Sequence, residues 1–267
     1  MPEFRNVGEV RGLRSAAYGF MAFLYLPIII LILYSFNSGS LVMVWSGFGL
    51  NWYAKAFANA DIQRAALNSL IVATVATALA TVIATLAALV MTRGGPFRGR
   101  GASLAMISLP LMVPEIVTAV AMLIVFAGTG LSLGLGNVII AHVTFCIPFA
   151  FMPIRARLEG MDTTLEQASA DLYGSDWATF RYITLPILMP GILAGAMLSF
   201  VISLDDFIIT MMVAGAGSTT LPVYIYSMIR QGVTPEVNAV SSLLLLASVL
   251  LVTFYWLVTR NRDAATN

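Results

Sequence analysis

Residues 65–92 read AALNSLIVATVATALATVIATLAALVMT, a run without a single charged side chain. A helix rises about 1.5 Å per residue, so crossing a hydrocarbon core about 30 Å thick takes about 20 mostly apolar residues. The run exceeds that length, and in lipid its backbone N–H and C=O groups must be satisfied within a helix. Alanine stands at 76, 80, 84 and 88, with Thr77, Thr81 and Thr85 alongside. Small residues four apart let helix backbones approach closely, either within one chain or at a subunit interface.

Five further predominantly apolar stretches flank it, at 16–36, 103–127, 137–153, 191–214 and 239–259. The whole chain of 267 residues is 59% hydrophobic and only 10% charged, with a mean hydropathy of +0.90. A soluble domain carries about 25% charged residues. The sequence therefore predicts an all-α integral membrane protein: six transmembrane helices in one domain over 1–267. The first span is too long for the apolar core of a cleavable signal peptide, and Tyr34-Ser35-Phe36-Asn37 lacks a small-x-small cleavage pattern.

Positive charge sets the orientation. Arg5, Arg11 and Arg14 precede the first span, and Arg93, Arg98 and Arg100 follow the second. Arg155, Arg157 and Arg181 follow the fourth, and Arg260 and Arg262 follow the sixth. The opposite side holds only Lys55, Arg64 and Arg230. Both termini are thus expected in the cytoplasm.

On the outer side, 37–63 carries Trp45, Phe48, Trp52 and Tyr53, as suits chain at headgroup level. Residues 128–136, GTGLSLGLG, read as a short turn or a re-entrant element, and the mixed segment 215–238 is long enough to approach a partner outside the membrane. The cytoplasmic loop 155–190 reads as two short helices. Leu165, Ala168 and Leu172 form one apolar stripe, Gly174 breaks it, and Ser175 can cap a second helix. There Trp177, Phe180 and Ile183 recur every third residue before Pro186 ends the pattern. Exposed apolar residues on such helices call for a groove on a cytoplasmic partner.

Three acids fall inside the spans: Glu115, Asp205 and Asp206. A charge at the bilayer centre costs about 2.5–3.5 kcal/mol on insertion scales, so it faces a cavity or a partner. No Lys or Arg shares their spans, which argues against salt bridges within the chain. Pro110 and Pro114 precede Glu115 and suggest a broken helix, a common setting for a transport site. The acids read as a path that attracts a cation, or as caps of helix ends near the interface. On one helix Asp205 and Asp206 point about 100° apart, so one is expected to face the path while the other bonds to backbone or a neighbouring subunit.

Other chemistries are excluded or weak. The 14 Lys+Arg nearly cancel the 13 Asp+Glu, leaving no basic excess for nucleic acid. The one cysteine, Cys146, builds neither an internal disulfide nor a cysteine metal site, and no metal site is expected. Lys55 is the only lysine, so there is no phosphate-binding GxxxxGK[ST] loop. A remote alternative is an intramembrane serine protease, with Ser103 as nucleophile and His142 as base. Hydrogen bonding of His142 to a neighbouring helix is the simpler reading.

The loop Glu166-Gln-Ala-Ser-Ala-Asp-Leu-Tyr-Gly-Ser-Asp-Trp-Ala-Thr-Phe-Arg-Tyr-Ile-Thr-Leu-Pro186 resembles the EAA loop of binding-protein-dependent, type I ABC importers. Counting back from Pro186, the motif's Glu falls on Gln167 and its Gly on Tyr173, with Glu166 and Gly174 one step away. Ala168, Asp171, Leu172, Leu185 and Pro186 fit. The stretches Tyr34–Ser38, His142–Cys146, Ser199–Asp206 and Pro235–Ala239 are similar to the polyamine branch of that family. Leu41–Tyr53 is most similar to the putrescine-type second permease.

This resemblance implies a permease subunit of the bacterial inner membrane, forming half of the path for a polyamine such as putrescine or spermidine. Opine, aminophosphonate, thiamine or iron are the alternative cargoes. It implies a second homologous permease, two ATP-binding subunits and a periplasmic solute-binding protein as partners. The chain itself is then no enzyme and holds no cofactor, ATP and Mg being bound by the ATPase. Glu166, Gln167, Ala168, Asp171, Leu172, Gly174, Trp177, Phe180, Leu185 and Pro186 would form the coupling surface for that ATPase.

Overall fold

The computed structural model describes residues 12–42, 44–132, 134–232 and 234–263, so Arg5 and Arg11 lie outside the described residues. Helices follow one another in the order α1 (Leu13–Ser35), α2 (Asn51–Ala58), α3 (Ala60–Arg93), α4 (Arg100–Met112), α5 (Glu115–Thr129) and α6 (Leu135–Glu159). After these come α7 (Thr164–Asp171), α8 (Asp176–Thr179), a π-turn over Phe180–Thr184, α9 (Leu185–Asp205), α10 (Ile208–Val213), α11 (Leu221–Gln231) and α12 (Pro235–Asp263).

Five runs are long and apolar enough to cross a membrane: Arg14–Ser35, Ala60–Arg93, Leu135–Glu159, Asp176–Asp205 and Pro235–Thr253. The bent pair α4 and α5 makes a sixth if it counts as one span. Its two halves meet at 111°. Pro114 disfavours helical backbone in the residue before it, and Val113 accordingly sits at ψ 135.

Several helix bounds depart from the apolar windows. The fourth span runs past 153 to Glu159 because Pro148 and Pro153 sit inside α6 without ending it. The helix expected to stop at Pro186 instead continues from α8 through the π-turn into α9, so the fifth span begins well before 191. Pro186 falls just after the π-turn, where the i→i−4 ladder is already interrupted. That span also ends at Asp205 rather than 214. Gly130 at φ 67 caps α5 and Gly134 at φ 57 leads into α6, so the described residues of the 128–136 stretch show no re-entrant helix, and Leu133 lies outside the described residues.

The chain divides into two compact units, residues up to 60 with 225–247, and 61–224 with 248 onward. In the first, Asn37 organises the loop after α1. Its Nδ2 donates to the carbonyls of Leu41 and Val44, and its Oδ1 accepts from the N–H groups of Gly39 and Ser46. Phe36 stacks on Phe48 at 5.2 Å, and Tyr53 exchanges a 2.6 Å hydrogen bond with Ser35.

In the second unit α3, α6 and α9 share a core of Ala84, Ala88, Met91, Ala150, Phe151, Ile154, Leu158 and Leu188. The alanines at 76, 80, 84 and 88 are all fully buried, so the small-residue stripe packs within this chain. Gly195 lets α9 approach the backbone of α6 closely, since a Cβ there would lie 2.6 Å from the Ala150 carbonyl oxygen. A second cluster joins Val72 and Ala119 to Phe126, Val138, Phe145, Ile209 and Val213, which sets α5 and α10 against α6.

Candidate functional site

Two interruptions of helix converge on one place. At the first, Pro114 is the N-cap of α5 and Glu115 opens its first turn, where the helix dipole favours a negative charge. At the second, α9 stops after Asp205, Asp206 is extended at ψ 129, and α10 starts two residues later. One aspartate was expected to bond to backbone, and Asp206 does so at the Thr210 N–H; the expectation that only the other faces a path assumed a continuous helix. The helix ends between them, and both line a cavity of about 470 Å³ together with Glu115. Its remaining wall is Phe145, Phe149, Ile202, Phe207 and Ile208.

The three acids differ in setting. Asp205 is exposed and Glu115 half-buried, whereas the Asp206 side chain is only 2% exposed. Glu115 and Asp206 bring two carboxyl groups to the wall of the same cavity. Asp206 Oδ1 accepts from the Thr210 backbone N–H at 2.9 Å and from its hydroxyl at 3.1 Å, which ties the start of α10 to the break. Its Oδ2 has no hydrogen-bond donor among the described residues.

Carboxylates are costly in an apolar wall unless something positive offsets them. Among the described residues no Lys or Arg lines this cavity. The arrangement suits an organic cation, with carboxylates for its charged groups and phenyl rings for its carbon chain and for cation–π contact. No group of three or more His, Cys, Asp or Glu among the described residues is placed to hold a metal ion.

His142 does hydrogen-bond neighbouring elements: Nδ1 lies 2.7 Å from Ser203 Oγ and Nε2 2.9 Å from Thr210 Oγ1. Both ring nitrogens are engaged, which leaves none for Ser103, half-buried on α4. Thr210 was not among the residues expected at the site. No local pattern marked it: the N-cap of α10 is Phe207, and Asp206, one residue before it, reaches Thr210 four residues on rather than the two or three of an ordinary cap.

The loop between α6 and α9 forms a second candidate surface. Asp162 Oδ1 accepts from the N–H and hydroxyl of Thr164 at the head of α7, and these bonds hold its carboxyl below the usual range. Ser175 caps α8 by accepting from the Ala178 N–H at 3.3 Å, as its position predicts. Between the two helices Tyr173 adopts φ 57. It stands where the EAA pattern has glycine, so the left-handed turn is kept without the residue that adopts it most easily.

Large apolar groups are left bare on this loop: Leu172 is 83%, Tyr173 98% and Trp177 70% exposed. Gln167, Ala168, Asp171, Gly174 and Pro186 are exposed as well, while Phe180 and Leu185 are half-buried. Glu166 differs from these. It pairs with Arg93 at 3.1 Å and accepts the Thr184 hydroxyl at 2.8 Å, so it faces its own chain.

Residues 80–263 match the family described as binding-protein-dependent transport system inner membrane component. The spermidine/putrescine transport system permease protein PotC of Haemophilus influenzae is 40% identical over 242 residues, covering 91% of this chain and 94% of that protein. The putrescine transport system permease protein PotI of Escherichia coli is 38% identical over 229 residues, 84% of this chain and 82% of that one. Among solved structures, a bacterial ABC transporter that imports the acidic polysaccharide alginate superposes with a TM-score of 0.72 over 93% of both chains, at 16% identity. That likeness is one of fold.

Proposed function

The chain belongs to the family of binding-protein-dependent transport system inner membrane components, and from that premise we propose that it is a permease subunit of an ATP-driven ABC importer forming half of the path for a polyamine such as putrescine or spermidine. The observation that carries the cargo is the cavity in which Glu115, Asp205 and Asp206 meet phenyl rings without a basic residue. Relatives named for spermidine and putrescine support the same reading, and opine, aminophosphonate, thiamine and iron are not favoured. The protein is a transport subunit rather than an enzyme. ATP and Mg would be held by a partner.

Each residue takes a role on this reading. Exposed Asp205 meets an arriving ammonium group, and Asp206 with Glu115 holds it deeper, where the low dielectric strengthens the attraction. Phe145, Phe149 and Phe207 flank the methylene chain. The breaks at Pro114 and Asp206 place these groups where backbone can reorient without unwinding a full span.

The partners are a second homologous permease completing the path, two ATP-binding subunits and an external solute-binding protein. The exposed Leu172, Tyr173 and Trp177, with Gln167, Ala168, Asp171, Gly174, Phe180, Leu185 and Pro186 around them, form the surface on which an ATP-binding subunit docks. Glu166 sets the angle of that surface. The arginines at 93, 98, 100, 155, 157 and 181 support a cytoplasmic position for this loop and for both termini.

Uptake of labelled putrescine tests the proposal, in cells that lack their own polyamine importers and express the complete transporter. Saturable uptake displaced by spermidine but not by thiamine or an opine is expected. Glu115→Gln should lower uptake while the complex still assembles. Wild-type uptake in Glu115→Gln would remove that residue from the path. No putrescine uptake, with an ATPase still copurifying, would keep the machine and discard the cargo.

A further inference from the structure

Asp206 is held from one side only. The Thr210 N–H and hydroxyl both bond Oδ1, and His142 Nε2 approaches the same oxygen at 3.3 Å. Oδ2 receives no donor among the described residues, although Asp206 lines the cavity. One tautomer satisfies all of these bonds at once: with the Thr210 hydroxyl proton on Asp206, the proton between Thr210 and His142 comes from Nε2. In a neutral ring Nδ1 is then bare and accepts from Ser203 Oγ at 2.7 Å. His142 is 1% exposed and is not part of the cavity wall. Asp205, beside it in sequence, has no such clamp.

We propose that His142 is a positioning residue for transport. Through Thr210 and by direct approach, it fixes the rotation of the Asp206 carboxylate so that one oxygen is used internally and the other is left for a cation. This rests on the reading of the cavity as the substrate path. A carboxylate free to rotate would offer its charge in many directions and lose part of the attraction to ordering a bound ammonium. The chain Ser203–His142–Thr210–Asp206 spans α9, α6 and α10, so the orientation is tied to the packing of three elements rather than to one rotamer.

The complete importer tests this, with putrescine uptake normalised to assembled complex. His142→Ala is expected to lower uptake about tenfold, and His142→Gln, whose amide N–H can donate where Nε2 does, to recover it to within about threefold of wild type. A double-mutant cycle separates positioning from mere support. On the residual uptake of Asp206→Asn, adding His142→Ala should cost less than about twofold, because no carboxylate is left to orient. In Asp205→Asn the full loss should reappear. Equal losses in both backgrounds would overturn the proposal. So would wild-type uptake in His142→Ala while Asp206→Asn is impaired, and the path reading would survive. Wild-type uptake in Asp206→Asn would instead sink the path reading. If His142→Ala does not assemble, Thr210→Val breaks the same chain of bonds, and wild-type uptake there overturns the proposal.

Discussion

Arg93, the last residue of α3, and Glu166, in the first turn of α7, are joined by an ion pair of 3.1 Å between Nε and Oε2. The other carboxylate oxygen takes the Thr184 hydroxyl at 2.8 Å. One side chain thus ties the loop to a membrane-crossing helix and to the π-turn ahead of the next. With side chains 26% and 19% exposed, the pair is partly shielded, and removing one partner leaves the other without its counter-charge. Glu166→Ala should destabilise the loop by about 1–2 kcal/mol. Hydrogen exchange of the backbone over 164–184 would read this as faster exchange, with Glu166→Gln in between because it keeps the Thr184 bond. Unchanged exchange in Glu166→Ala would mean the clamp carries no stability.

Tyr173 stands at φ 57 with its side chain 98% exposed. A non-glycine residue pays about 1 kcal/mol for that backbone region, and among the described residues the exposed ring makes no hydrogen bond that offsets it. Tyr173→Gly should therefore raise the thermal midpoint of the purified permease slightly, and Tyr173→Val should lower it, since a β-branched side chain tolerates the region least. If Tyr173→Gly instead loosens ATPase binding, the exposed ring is part of the docking surface. A lower midpoint in Tyr173→Gly would contradict the strain.

Five of the spans were legible because lipid demands long apolar runs, and residues 65–92 meet that demand unaided. Their ends were not. Pro148, Pro153 and Pro186 look alike in sequence, yet none of them ends its helix, whereas Pro114 bends the chain by 111°. Neighbouring elements decide which proline breaks a helix, and no local pattern contains them. The acids stood out as candidates by being charged in an apolar setting. That Asp205 and Asp206 share one cavity depended on a helix end between them, which composition does not mark.

Gly195 fixes how closely α6 and α9 approach. A Cβ there would meet the Ala150 carbonyl oxygen at 2.6 Å and its Cα at 3.1 Å, both backbone atoms that cannot swing aside. Gly195→Ala should force the helices apart and cost about 1–3 kcal/mol, as overpacking does. The Ser199–Cys146 bonds one turn further along would stretch with it. Gly101 has open space where a Cβ would go, so Gly101→Ala serves as the control and should leave the midpoint unchanged. Equal midpoints for the two variants would show that the α6–α9 contact yields more easily than its geometry implies.

Trp177 and Phe180 lie 5.7 Å apart between ring centroids, yet they should fail in different ways. Trp177 is 70% exposed, so its removal sacrifices little packing within the chain. Phe180 is half-buried at the start of the π-turn and supports the junction of the loop with the fifth span. If this loop docks on an ATP-binding subunit, Trp177 has the size and exposure of an interface anchor, where truncation costs about 2 kcal/mol or more. That corresponds to about a 30-fold weaker complex. Trp177→Ala should then release the ATPase during purification while the permease keeps its thermal midpoint. Phe180→Ala should lower the midpoint first and lose the ATPase as a consequence. ATPase that still copurifies with Trp177→Ala, with substrate-stimulated hydrolysis intact, would move the docking surface elsewhere.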